Sequence, residues 1–221
     1  MELTGLLLRL KTGSDSERRF AAEDLGDAGD AVCMPGLLSA LGDASPAVRE
    51  AVADAIVRLA GERDCAAVAE LLASEDVRLR NLSREILGRA GSKSVASLLP
   101  LLAHPSQDVQ KFAIDILAGL GGDALAAFPA LAERLLNGDP NVAGAAAEAM
   151  ARTGDPRAMP LLMARLRGAG FWLQCCVVEA VQRTGSPGDL ERIRDEYGDE
   201  LLPEARAFCL RYLGKGDARN G

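Results

Sequence analysis

LLSALGDASPAVREAVADAIVRLAG, residues 37–61, is the stretch whose reading decides the fold. Counted from Val48, its apolar residues fall at the first, fourth, fifth, eighth and ninth places, as Val48, Ala51, Val52, Ala55 and Ile56. That spacing covers one face of a 3.6-residue helix. Seven residues before Val48 stands Leu41, with Leu37 and Leu38 three and four residues earlier, which predicts a second amphipathic helix. The polar GDASP at 42–46 between them is too short for anything but an antiparallel hairpin, and it supplies residues suited to capping the second helix. Gly61 follows, in the place where a left-handed C′ residue ends a helix without a Cβ penalty.

Working outward, the same pattern recurs along the chain. Segments beginning at Glu17, Val48, Leu79, Val109, Val142, Leu173 and Ala205 superpose, at spacings of 31, 31, 30, 33, 31 and 32 residues. We call the helix in each segment helix B and the one before it helix A. Leu10, Leu41, Leu72, Leu102, Leu135 and Leu166 lie seven residues upstream of their B segments and anchor helix A. SED at 74–76, HPSQD at 104–108 and NGDP at 137–140 are the corresponding A-to-B turns. Gly29, Gly61, Gly91, Gly121, Gly154 and Gly185 follow helix B and are expected to be left-handed. Pro35, Pro129 and Pro160 suit the first turn of helix A, whereas Pro100 lies deeper in the fourth A helix and predicts a kink or a late start.

The expected fold is therefore all-α, with seven hairpins at about 1–30, 31–62, 63–93, 94–124, 125–156, 157–187 and 188–217 forming one domain over residues 1–217, and a flexible tail at 218–221. The pattern, cleanest in residues 37–61, resembles the HEAT repeat, and its 31-residue length is similar to the short bacterial form known from phycobilin lyase subunits. The resemblance implies a right-handed α-α superhelix of armadillo type, with the B helices on a concave binding side. It also implies either a scaffold or adaptor for a protein or peptide, or a lyase-like subunit acting on a bilin chromophore.

Composition agrees with helices packed through small side chains: 48% of the 221 residues are hydrophobic and only 4% are aromatic. A net charge of −7 opposes nucleic acid and anionic membranes as partners. Five cysteines, Cys33, Cys65, Cys175, Cys176 and Cys209, form no CxxC pair, so neither a zinc site nor a disulfide framework is indicated and a reducing cytoplasm is expected. The opening MELTGLLLRL has an apolar run too short for a secretory core.

The seventh place of the B segments reads Glu23, Asp54, Glu85, Asp115, Glu148, Glu179 and then Arg211. This acidic row suits a basic peptide or protein surface. It equally suits a solvated face paired within each helix, since Asp54, Glu85, Glu148 and Glu179 precede Arg58, Arg89, Arg152 and Arg183 by four residues. The sixth repeat departs from the others: RGAGFWLQCC replaces the acidic turn with glycines and brings Phe171 and Trp172 into helix B. The chain's single tryptophan makes this pair the sharpest local candidate for partner contact, against the alternative that the indole packs over a neighbouring turn.

Cys175 and Cys176 read as packing residues, one of them occupying the slot of Ala51 and Leu82. The last repeat carries Phe208, Tyr212 and Leu213 with Leu210 outward, a surface suited to forming a homodimer or docking a further domain, while Arg9, Lys11, Arg18 and Arg19 give the first repeat a more polar end. The one histidine, His104, sits in an Ala-His-Pro turn with no glutamate beside it and reads as a solvated or capping residue. We therefore expect no catalytic residue, no metal site and no cofactor.

Overall fold

The computed structural model describes residues 2–217; the expected tail at 218–221 lies outside the described residues, as do the side chains of Tyr212 and Leu213. The described residues are helical throughout, and they divide into two compact units, one running to Leu98 and the other starting at Leu99.

The first unit holds α1 (Leu3–Thr12), α2 (Asp15–Ala28), α3 (Met34–Ala40), α4 (Pro46–Leu59), α5 (Glu62–Glu70), α6 (Val77–Ala90) and the four-residue α7 (Val95–Leu98). Odd-numbered helices are A helices and even-numbered ones B helices. α2 packs on α1 and α4, and α4 on α3 and α6, so each B helix is shared between its own hairpin and the next. The expected A anchors Leu10, Leu41 and Leu72 are all buried, as are Leu25, Val52, Ile56 and Ile86 of the B helices. Burying such a side chain is worth about 1.5 to 3 kcal/mol, far more than the few tenths that separate helix propensities.

The second unit holds α8 (Gln107–Leu120), α9 (Phe128–Asn137), α10 (Pro140–Arg152), α11 (Ala158–Arg165), α12 (Phe171–Thr184), α13 (Pro187–Tyr197) and α14 (Pro203–Asp217). α10 packs on α8, α9 and α12, and α12 on α11, α13 and α14. Leu102, Leu135 and Leu166 are buried here, with Ile114, Leu117, Val142, Met150, Val177 and Val181. The run Gln107–Asn137 has an 18-residue window of mean hydropathy 1.5, yet Gly121 at φ 56° divides it into α8 and α9.

Several local expectations take a different form. Gly29, Gly91, Gly121 and Gly154 are left-handed, but Gly61 and Gly185 are extended, with φ −90° and −77°. Gly61 itself begins α5, donating its amide to Asp64, and Ser186 caps α13 directly after Gly185. Asp76 and Asp139 cap their B helices as expected, whereas Ser45 and Ser106 do not; Asp43 and the Nδ1 of His104 instead accept the amides of those two serines. Pro100 neither bends nor delays its helix. α7 stops after one turn and the chain tightens to a 3₁₀ helix over Leu99–Ala103, because proline disfavours α geometry in the residue before it. The first repeat is also less polar at its surface than expected, exposing Leu8 and Phe20, with the Arg19 guanidinium over the Phe20 ring.

A regular device fastens the turns. The second residue of several B segments reaches back to carbonyls that its own A helix or turn leaves free. Arg49 donates to Asp43 and Ala44, Arg80 to Ser74 and Glu75, and Gln110 to His104. Buried Gln174 goes further: its Nε2 donates to the carbonyls of Leu166 and Glu200, and its Oε1 accepts the Leu202 amide, tying the sixth repeat to the seventh. Arg18 donates to Gly13 and grips both carboxylate oxygens of Asp43 at 2.7 and 2.8 Å, tying the first repeat to the second.

The hydrogen bonds from Arg18, together with the Ser45 amide, hold the Asp43 carboxyl below the usual carboxylate range. A depressed folded-state pKa contributes stability above the unfolded value of about 3.9 and loses it as pH falls through the folded value. Asp43→Asn should therefore cost about 1.5 to 3 kcal/mol at neutral pH. Urea unfolding followed by circular dichroism should show this difference shrinking towards zero as the pH is lowered below the folded pKa of Asp43.

Candidate functional site

The seventh-place acids are surface groups in both units, and arginines from the eleventh place neutralise them by a rule that crosses repeats. In the first unit Arg89 bridges Glu85 of its own helix at 3.2 Å and Asp54 of the preceding B helix at 2.8 Å. In the second, Arg183 bridges Glu179 at 2.6 Å and Glu148 at 2.8 Å in the same way, and Arg152 adds a third arm to Glu148 at 2.8 Å. Glu23 pairs with Arg19 at 2.9 Å, and Asp115 is exposed on α8. The expected Asp54–Arg58 pair is not formed. Arg58 turns to Asp27, which occupies the same eleventh place one helix back, because side-by-side stacking of α2 and α4 brings that carboxylate within reach. These groups are about half exposed, so each pair is worth roughly 0 to 1 kcal/mol. Their effect lies in cancelling charge.

The second unit gathers Glu148, Glu179 and Trp172 into one groove of about 240 Å³ between α10 and α12, open towards Lys111 of α8. Its construction starts with the small residues of α10. Val142, Ala143, Ala146 and Ala147 are fully buried, and Gly144 occupies the third place, where the first four B segments carry Arg19, Glu50, Asn81 and Lys111 and the last two Cys175 and Ala207. A mid-helix glycine costs about 1 kcal/mol relative to alanine and so calls for a packing reason. The reason is α12: a Cβ at Gly144 would stand 2.9 Å from the Sγ of Cys176, 3.3 Å from its Cβ and 3.6 Å from the indole nitrogen of Trp172.

Trp172 thus rests its nitrogen edge on the preceding B helix rather than over a turn, while 58% of its surface stays exposed. Phe171, beside it in the first turn of α12, is 47% exposed and lies outside the groove lining. Ala145, Cys176 and Ala180 add apolar surface, and Asn141, Glu148, Glu179 and Arg183 complete the lining. The place of Gly144 in the repeat was a usable sequence signal for this groove, because glycine breaks the third-place pattern.

Burial pushes the Cys176 thiol up to about 11, helped by the neighbouring Cys175, Glu179 and Glu148, and burial raises Cys175 as well. Both are therefore held as thiols, consistent with packing rather than with nucleophilic or metal-binding roles. Among the described residues no group of three or more His, Cys, Asp or Glu side chains is placed to hold a metal ion. A second concavity, of about 560 Å³, lies in the first unit between α1 and α3, lined by Leu7, Leu10, Val32 and Pro35 with Lys11 and Asp43 at its edge. The periodicity that marks the core did not reveal it, since it is lined jointly by residues of two different A helices.

The profile describing HEAT repeats matches residues 3–88 and 95–173. No curated protein matches the sequence. Among solved structures, the CpcE–CpcF complex of phycocyanin lyase from a Nostoc species is similar at 17% identity and a TM-score of 0.42, over 97% of this chain and 94% of that one. A designed armadillo-repeat protein in complex with a (KR)4 peptide is similar at 15% identity and a TM-score of 0.38, over 96% and 100% of the two chains. Likenesses this distant say nothing of function.

With its thiol at about 11, Cys176 should alkylate on the order of 100-fold more slowly than an ordinary cysteine near pH 8. Peptide mapping after timed iodoacetamide treatment should show its rate still climbing through pH 10. A plateau near pH 8.5 would contradict the assignment.

Proposed function

The chain belongs to the HEAT-repeat family, and from that premise we propose that it is a non-catalytic scaffold holding a protein or peptide segment against the B-helix face of its second unit. The observation that carries this reading is Trp172, the one tryptophan in the chain, more than half exposed on the wall of a groove built by the glycine of the neighbouring helix. Tryptophan is enriched among the residues that dominate interface energies. Covering the free part of an indole is worth on the order of 2 to 3 kcal/mol.

The volume of the groove points the same way. About 240 Å³ falls below the roughly 300 to 1,000 Å³ of typical small-molecule sites and suits one or two anchoring side chains of a partner. The carboxylates in its lining are engaged in structure, Glu148 by Arg152 and Arg183 and Glu179 by Arg183. The acidic row is spent on the protein's own arginines, which removes the charge basis for choosing a basic partner along it.

The test is photo-crosslinking in the native host, with p-benzoylphenylalanine in place of Phe171 and, as a control, in place of the exposed Glu133 on helix A of the same unit. The expected result is a discrete protein adduct from position 171 and not from 133. Trp172→Ala should weaken that capture about 30-fold or more. Equal capture from both positions, or capture untouched by Trp172→Ala, would sink the proposal.

A further inference from the structure

We infer that the groove between α10 and α12 selects an acidic segment, seating an apolar side chain against Trp172 and Ala145 and holding an adjacent carboxylate on Lys111 and Asn141. This rests on the scaffold reading and names the chemistry of the partner. The charges in and around the groove can be counted. The lining carries two cations and two carboxylates; Arg183 bridges both Glu148 and Glu179, Arg152 from outside the lining adds a second bond to Glu148, and Lys111 is the one lining charge that no described residue pairs.

The unused hydrogen-bonding capacity has the same sign. Lys111 makes no ion pair or hydrogen bond with a described residue, and the Asn141 side-chain amide likewise has no partner among them. The two glutamates, by contrast, already accept charge-assisted bonds of 2.6 to 2.8 Å. A cationic segment would meet Lys111 first and would then have to displace Arg183 or Arg152 to reach a carboxylate. A carboxylate reaching Lys111 displaces only water.

The apolar part of the groove sets the second requirement. The indole of Trp172 and the methyl of Ala145 offer apolar surface, and a ring or branched chain fills it at a cost of few ordered bonds. The overall charge of −7 opposes an acidic partner at long range, but physiological salt screens exposed charges beyond about 8 Å. At contact distance a charge in the lining that no described residue pairs decides, and that charge is Lys111.

Two nine-residue peptides test the inference on the full chain, one with a central Leu-Phe pair flanked by Asp and Glu, the other with the same pair flanked by Lys and Arg. Because Trp172 is the only tryptophan, its emission reports seating in this groove directly. The acidic peptide should shift that emission and bind at least ten-fold more tightly than the basic one. Lys111→Glu should lower affinity for the acidic peptide at least ten-fold and raise it for the basic one, and Asn141→Asp, at the other side of the rim, should act in the same direction. Equal affinities, a preference for the basic peptide, or no binding of either up to about 1 mM would overturn the inference. If crosslinking from position 171 captures a partner through a basic segment, the scaffold reading survives and this inference alone fails.

Discussion

A two-helix hairpin of this length has one apolar stripe on each helix and cannot bury both by closing on itself. Every other feature follows from that constraint. Each B helix must find apolar surface on the next hairpin, so the buried residues form a chain of nearest-neighbour contacts rather than a single centre. In the first unit Leu10, Leu41 and Leu72 sit at the same place in successive hairpins, and each is buried, as are the B-helix side chains Leu25, Val52 and Ile86. The stacking also leaves a strip of each B helix uncovered, and the chemistry of that strip is where repeats are free to differ.

What the strip does electrically is set by the distance between neighbouring helices. An arginine at the eleventh place reaches the seventh-place acid of its own helix and, with equal ease, that of the helix before it. A row of like charges thereby becomes a lattice of shared pairs. Each bond adds little stability on a half-exposed surface, but the lattice removes the field that a row of unpaired acids would project. The pattern is interrupted at the fifth and sixth repeats, where Gly144 stands in the place of the long polar side chains of the first four B segments and Cys176 and the Trp172 indole approach it.

Much of this was legible in the residues. The repeat spacing, the A and B anchors, and the prolines at the starts of A helices rest on periodicities that local backbone geometry enforces, and those positions are buried or helical as the pattern requires. The turn staples were not legible, because Arg49, Arg80 and Gln174 look like ordinary surface residues until the turn carbonyls they reach are placed in space. Gly61 and Gly185 were misjudged because a glycine after a helix looks the same whether the next helix begins at once or after a left-handed turn.

By itself, then, the sequence determined an all-α chain of seven hairpins and the register of its core, since apolar periodicity at 3.6 residues admits few other folds. It also marked Phe171 and Trp172 as out of pattern. Only the tertiary structure decided that Asp54 pairs with Arg89 rather than Arg58, and that Trp172, Gly144, Glu148, Glu179 and Lys111 share one groove. The physical reason is one of range. Helix periodicity is written in residues three and four apart, whereas pairing across stacked helices joins residues some 30 to 60 apart, whose proximity depends on how closely small side chains let two helices approach.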